Sequence, residues 1–476
     1  MIWSIAWKNV WRNKIRSLVV IIAFTLGIFG GLFTVAIMVG MIDKRVDLAI
    51  SNEVGHVQIH HNKFKENFEL KYTIPDYKEL EGSIQKIPEV TGVSSRLKIF
   101  AMASTAGSAN GVMVNGVDVE NEKKVSKIDE FIVEEGGSFF DTDSRNPIVI
   151  GKELAEHLKL TYYKIDVDNF KKLEDTNLPD DILLNLDTLV GMNFRTENDF
   201  EMALQKQLGE KDAGRYMYKI KEEAVKYKLR RKIVLQFQDA NGNLAYGAFK
   251  VIGVYKSSNN MFDELNVFVH RDDLLKITGI PEKEVHEIAV LIDKTKESNE
   301  IASKIKSFTN NQLTVETWEE VIPEISMMNE MMDFYLLIFM IIILLALGFG
   351  IVNTMLMAVL ERIKELGMLM AIGMNKKRVF RMIMLESIFL SLVGTVFGML
   401  ISYLIIDWTG RTGIDLSRFY GEGFEAMGLS AVLYPSIDLF DFMQVTILVI
   451  ITGILASVMP ARKALKLNPV EALRTE

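Results

Sequence analysis

The chain has 476 residues, 49% of them hydrophobic and 24% charged, with a formal net charge of −8. It is long enough for two or three domains, and no nucleic-acid partner is expected. The absence of cysteine excludes disulfide staples, thiolate catalysis and Cys-based metal sites. A domain of nearly 300 residues outside the cytoplasm would therefore stand on its hydrophobic core alone.

Averages conceal a segregation: apolar residues gather in four runs, and charge gathers in one central block. In segment 1–17, Trp3, Trp7 and Trp11 recur at i, i+4, i+8 with Lys8, Arg12 and Arg16 beside them. That register predicts an amphipathic helix lying in the membrane interface. Residues 18–42 then form an uncharged apolar run of 25 residues, enough to span a bilayer. A secretory signal is the competing reading, but a signal core is typically about 7–15 residues and ends at a small-residue cleavage site. Here the run passes straight through Val35-Ala36-Ile37-Met38.

Block 43–333 alternates strand and helix patterns. Its ends, about 50–110 and 262–320, read as a split α/β subdomain made of β-α-β units. Between them, about 111–260 reads as a β-rich subdomain, with the Asn241-Gly242 turn signal of a hairpin. Residues 161–230 are strongly charged, helical in tendency and weakly periodic, and read as an inserted arm. Further apolar runs follow at 334–360, 382–406 and 442–460, separated by 361–381 and 407–441 and followed by the tail 461–476. The expected fold is thus a four-helix membrane domain with a large extracytoplasmic α/β plus β-rich domain between helices 1 and 2. Gly27 and Gly31, and again Gly394 and Gly398, form G-x-x-x-G steps that suit close helix packing.

Orientation follows from basic residues near the span ends. Segments 1–17, 361–381 and 461–476 hold 4, 6 and 4 Lys/Arg against 0, 2 and 2 Asp/Glu. Block 43–332 holds 38 against 50, and 407–441 holds 2 against 6. Both termini are therefore expected in the cytoplasm and the large block outside.

The 476 residues contain no G-x-x-x-x-G-K-[ST]; the Gly151-Lys152 pair lacks the phosphate-cradling loop. Neither a G-x-S-x-G elbow nor an H-E-x-x-H helix occurs, so catalysis is not expected of this chain. His56 and His60 share a strand face but stand about 13 Å apart at ~3.3 Å per residue, too far for one metal ion. With His61 they read as solvent-facing side chains beside a buried Val57/Ile59 face. The pairs Glu134-Glu135, Asp180-Asp181 and Glu222-Glu223 read as solvated surface. Glu386, at the end of the third run, is a membrane-embedded carboxylate and so a functional candidate. The simpler reading pairs it with Arg381 or Arg378.

The segment joining the second and third runs carries the most specific pattern, Asn353-Thr-Met-Leu-Met-Ala-Val-Leu-Glu361-Arg362-Ile-Lys-Glu365-Leu366-Gly367-Met-Leu-Met370-Ala371-Ile-Gly373-Met374. Glu361, Arg362 and Glu365 share one face, while Leu366, Met370 and Met374 form an apolar stripe suited to a groove in a partner. This segment resembles the cytoplasmic coupling segment of the FtsX-like permease family, also called the MacB or mechanotransmission type. The terminal stretch from Pro460 through Asn468-Pro469-Val470-Glu471-Ala472 resembles the same family's end signature. Within the family, 51–60 and 317–324 resemble the lipoprotein-releasing LolC/LolE group; 161–230 is longer than the usual counterpart.

That resemblance implies a permease subunit of an ABC transporter in the bacterial inner membrane, working with a second permease subunit and an ABC ATPase that binds ATP and Mg. ATPase coupling would fall to Glu361, Arg362, Glu365, Leu366, Gly367, Met370, Ala371, Gly373 and Met374. Lipoproteins would enter between the first two spans, against Phe33, Ile37, Met38 and Met41 facing Phe334, Tyr335, Ile338 and Phe339. They would leave to a periplasmic carrier. Two other functions stay open: drug, peptide or toxin export of the MacB type, and activation of a periplasmic cell-wall hydrolase. MacB-type members often carry the ATPase ahead of the first span; only 17 residues stand there here, so the fused form is not expected, while a separately encoded one stays open.

Overall fold

The computed structural model describes residues 2–12, 14–141, 144–175, 178–257, 259–309, 312–416, 423, 429–430 and 432–465. Its contacts divide the chain into two compact units, one made of 1–43, 327–414 and 432–476, the other of 44–326 and 415–431.

The first unit is helical. A surface helix, Ile2–Arg12, precedes four long ones: Lys14–Leu48, Pro323–Glu361, Lys376–Thr412 and Leu439–Leu465. Each contains a stretch long and apolar enough to cross a bilayer. The short helix Ile363–Ala371 joins the second to the third. Within the unit the first long helix touches the other three. A Cβ placed on Gly394 would lie 2.5 Å from the Cβ of Phe24, and one on Gly398 2.9 Å from that of Ile28. Small residues there let the third helix approach the first. Gly27 lies against Leu347 of the second long helix and Gly31 against Val445 of the fourth. Phe24, Ile28, Leu32, Ile351 and Val449 form the middle of this core.

The second unit is mixed. Its strands are β1 (Val57–His61), β2 (Val90–Ser104), β3 (Ala109–Val117), β4 (Ile132–Gly137), β5 (Pro147–Gly151), β6 (Thr161–Lys164), β7 (Asn193–Phe194), β8 (Val225–Tyr227), β9 (Lys232–Gln238), β10 (Leu244–Tyr255), β11 (Asn266–His270), β12 (Glu287–Ile292) and β13 (Leu313–Thr317). An antiparallel layer in the order β13-β1-β12-β2 packs Val57, Ile59 and Val93 against the helices Tyr77–Ile84 and Ser298–Phe308. β2 then continues for a second purpose. Its C-terminal half pairs with β3 and, further on, with β9. The pairings β3–β11, β11–β5, β5–β10 and β10–β9 close the ring. The result is a six-stranded barrel filled by Ile99, Val112, Val114, Ile150, Leu235 and Val251, and closure leaves no edge in that ring.

Three expectations are corrected here. β11 and the helix Arg271–Thr278 belong to the barrel, not to the split α/β layer: β11 lies parallel to β3, and Leu274 enters the barrel core. Residues 161–230 are no simple helical arm. β7, β6 and β8 form a three-stranded sheet, and four helices pack on it around Leu173, Leu186, Phe200, Leu204 and Ile220. His56 and His60 are buried instead of solvent-facing, because β1 is flanked by β12 and β13 and covered on its polar face as well. His56 Nδ1 accepts from the Ile292 amide (3.2 Å), Gln58 donates to the Val54 carbonyl (3.0 Å) and His60 Nε2 meets Glu316 (3.1 Å). Burial lowers the His56 pKa to about 4.

Two polar clusters tie this unit together. Arg96, buried where β2 leaves the layer for the barrel, donates to Glu122 through Nε (3.0 Å) and Nη2 (2.7 Å), to Glu287 (3.2 Å) and to the Glu53 carbonyl (3.3 Å). Burial opposes the Glu287 charge, yet Lys98 and Arg96 bring its pKa down to about 2. Three members of the acidic pairs at 134–135 and 222–223, Glu134, Glu135 and Glu222, are engaged, not merely solvated. Glu134 binds Lys172, Glu135 binds Lys226 and Glu222 binds Lys256, so these pairs fasten the inserted subdomain to the barrel wall.

Candidate coupling site

The second long helix ends at Glu361 because Arg362 leaves helical geometry (φ −106°, ψ 17°). The chain restarts at Ile363, runs to Ala371 and breaks again at Gly373, whose φ of +99° suits a residue without a Cβ. Asn375 then caps the third long helix, accepting from the Lys377 amide at 3.0 Å. The outcome is a short helix held between two breaks.

Its apolar stripe points inward. Leu366 and Gly367 are buried, and Leu369, Met370 and Met374 pack on the core of the helical unit. This corrects the expectation that Leu366, Met370 and Met374 seat in a partner. A helical period says that one face is apolar, and the nearest apolar surface, the bundle itself, takes it. The opposite face is the exposed one. It carries Lys364, Glu365, Met368, Ala371, Ile372 and Gly373, with Ile372 78% exposed.

Behind this face runs a chain of ion pairs. Arg12 of the surface helix binds Glu365. Arg362 Nε donates to the same carboxylate at 3.2 Å, and Arg362 Nη1 donates to both oxygens of Glu386 at 3.0 and 2.9 Å. Hydrogen bonding from Arg12, aided by Arg362, holds the Glu365 carboxyl below its ordinary pKa. Glu386 is therefore paired across helices, not with Arg378 or Arg381. Offsets of eight and five residues place neither arginine directly over it, and both are exposed. The surface helix is fastened further by its indoles: Trp3 and Trp7 lie edge-on to Phe389 at 5.8 and 5.4 Å, while Trp11 meets Trp7 at 5.9 Å. Sequence reasoning found Glu365, Arg362 and the indoles. It missed Arg12 and Glu386 as their partners, and Met368 and Ile372 as the exposed tip.

The residues expected to face cargo fall into two groups. Phe334, Tyr335, Ile338 and Phe339 are exposed on the second long helix. Phe33, Ile37, Met38 and Met41 are half-buried on the first, with Phe33 stacked on Phe29 at 5.3 Å. Within the terminal pattern, Pro460 lies inside the fourth long helix and Ala461 is buried. Asn468, Pro469, Val470, Glu471 and Ala472 lie outside the described residues.

Comparison with known proteins gives two family matches. Residues 337–469 match the FtsX-like permease C-terminal family, and residues 17–168 match the MacB-like periplasmic core domain. An uncharacterized ABC transporter permease of Methanocaldococcus jannaschii is 27% identical over 233 residues, 48% of this chain and 55% of that protein. The macrolide export ATP-binding/permease protein MacB of Escherichia coli is 27% identical over 234 residues, 48% of this chain and 34% of its own length. The pyoverdine export ATP-binding/permease protein PvdT of Pseudomonas putida is 29% identical over 214 residues, 44% and 29% of the two chains. The matched stretches thus span less than two thirds of each relative. Among solved structures, the periplasmic region of MacB from Actinobacillus actinomycetemcomitans aligns over 57% of this chain and 94% of its own, with a TM-score of 0.30 and 10% identity. Two family models thus match separate stretches of the chain, an FtsX-like permease C-terminal domain and a MacB-like periplasmic core domain.

Proposed function

We propose that this chain is the permease subunit of an ABC transporter, moved by an ATPase that seats on the exposed face of helix Ile363–Ala371. The observation that carries the reading is the construction of that helix. Its apolar side is locked to the bundle, its exposed side ends in Ile372, and Glu365 is tied directly to the surface helix through Arg12 and, by way of Arg362, to Glu386 of the third long helix. A helix fixed this way transmits a push instead of yielding to it. ATP and Mg belong to the partner, a second permease subunit completes the unit, and both termini lie in the cytoplasm of a bacterial inner-membrane protein.

For cargo, the reading is lipoprotein release to a periplasmic carrier, with acyl chains taken up along Phe334, Tyr335, Ile338 and Phe339. Methionine at 38 and 41 suits varied chains because it packs adaptably. Export of small amphiphiles is the second reading, favoured by the names of the macrolide and pyoverdine relatives. Reconstitution with the co-purifying ATPase separates them. Hydrolysis stimulated by a diacylated lipoprotein supports release, stimulation by a macrolide or siderophore supports export, and stimulation by neither removes both.

A further inference from the structure

A second site lies at the other end of the third long helix. There the helical unit holds a cleft of about 430 Å³ between the C-terminal turns of Lys376–Thr412 and the N-terminal turn of Leu439–Leu465. That volume is in the range of small-ligand sites, about 300–1,000 Å³. Its wall is built, not incidental. The Ser436 amide donates to the Ala36 carbonyl at 2.9 Å, pinning segment 434–437 to the first long helix. Gly40 and Gly410 allow the approach: a Cβ at either would stand 2.0 Å from the Tyr434 carbonyl oxygen or 2.7 Å from that of Pro435.

The lining divides by polarity. Ile406, Ile437 and Phe442 supply an apolar floor, and Asp407, Arg411 and Asp438 stand around it. Asp407 Oδ1 receives both Nε (3.2 Å) and Nη2 (2.8 Å) of Arg411, whose side chain is 77% exposed. Asp438 Oδ1 accepts from the Asp441 amide at 2.8 Å, capping the fourth long helix. Among the described residues, each carboxylate thus uses one oxygen internally and offers chemistry for a cation at the other. Two carboxylates and one guanidinium over an apolar floor, where two spanning helices end, match a head carrying an ammonium and a phosphate joined to acyl chains.

We infer that this cleft binds a membrane glycerophospholipid with a primary-amine headgroup. The ammonium sits between Asp407 and Asp438, the phosphate at Arg411, and the upper acyl segments against Ile437 and Phe442. The site is separate from the coupling face and its occupancy needs no ATPase, so its test stands apart from the transport reading.

The experiment is native mass spectrometry of the full chain released from mixed phosphatidylethanolamine–phosphatidylglycerol vesicles into mild detergent. The comparison is with Asp407→Asn/Asp438→Asn, which keeps side-chain size and the helix cap, since Asn caps as well as Asp. The wild type retains phosphatidylethanolamine in preference, and the double variant loses that preference by about tenfold, two partly exposed charge contacts' worth. Arg411→Gln lowers retention of both lipids. Equal retention by wild type and double variant overturns the assignment, as does a lipid-anchored polypeptide in place of phospholipid. Melting with added lipid guards against misfolding: the variant should match the lipid-free wild type and lack its lipid-induced rise.

Discussion

Arg362 Nη1 donates to both carboxylate oxygens of Glu386, at 3.0 and 2.9 Å, across the break between the second and third long helices. The two side chains are only 12% and 8% exposed. Removing one partner strands a charge in a poorly solvated place, typically costing about 3–5 kcal/mol, whereas replacing both with apolar groups is often neutral. Glu386→Ala should therefore lower the melting temperature in detergent sharply, and Arg362→Met/Glu386→Leu should recover most of the loss. The recovered double variant should still fail to couple, because Glu365 has lost one of its two arginines. If the double variant melts as low as the single one, the pair is not what holds the break.

The two faces of helix Ile363–Ala371 make opposite predictions. Ile372→Asp should leave thermal stability within about 0.5 kcal/mol of wild type, as exposed substitutions do, and abolish co-purification of the ATPase. Leu366→Ala should cost about 2–5 kcal/mol through the cavity it leaves in the bundle. A pull-down in which Leu366→Ala loses the ATPase at unchanged stability would restore the outward-facing stripe.

Helix packing is tested at the glycines. Gly398→Val places branches against Ile28, and Gly394→Ala pushes a methyl to 2.5 Å from the Phe24 Cβ. Overpacking of this kind costs about 1–3 kcal/mol. Gly30→Ala on the first long helix meets nothing within 4 Å and should be silent or slightly stabilising. Melting curves of the three variants should separate accordingly.

What could be read from residues alone divides along physical lines. Spans were legible because hydrocarbon thickness sets a length that Phe334 to Leu360 meets by count. The Trp3, Trp7, Trp11 register was legible because an α-helix fixes it. Period, however, does not name a neighbour. Leu366, Met370 and Met374 announced an apolar side, and only packing could show the bundle claiming it. Nor does a strand pattern name its partner: Met102 pairs with Gln236, a contact that closes the barrel over a long sequence separation. β1 shows the same limit. His56 and His60 alternate with Val57 and Ile59 as an exposed face would, yet protein covers both sides.

The last prediction concerns pH. Asp263 is fully buried, and its carboxylate accepts from the Ser257 amide (2.9 Å) and hydroxyl (2.6 Å). Burial outweighs those bonds, with Glu153 adding to the rise and Lys256 opposing it, and the pKa moves up from 3.8 to about 8. A raised carboxyl pKa means the folded state keeps a proton that the unfolded state releases. The stabilisation is thus complete below pH 3.8 and declines as pH climbs to about 8, by at most ~1.4 kcal/mol per unit. His56 and His286 act in the other direction. Burial lowers both to about 4, so what they contribute is complete above pH 6.5 and lost on acidification towards 4. The interval from 6.5 to 8 lies above the window of both histidines and inside that of Asp263. Asp263→Asn can accept from the Ser257 amide and donate to its hydroxyl, which then donates to the Asn259 carbonyl that it already faces at 3.3 Å. Hydrogen exchange of the peptide 255–270 in the solubilised full chain, corrected for intrinsic rates, should lose protection between pH 6.5 and 8 in the wild type and stay level in the variant. Parallel slopes in the two proteins would mean that Asp263 is ionised throughout that range.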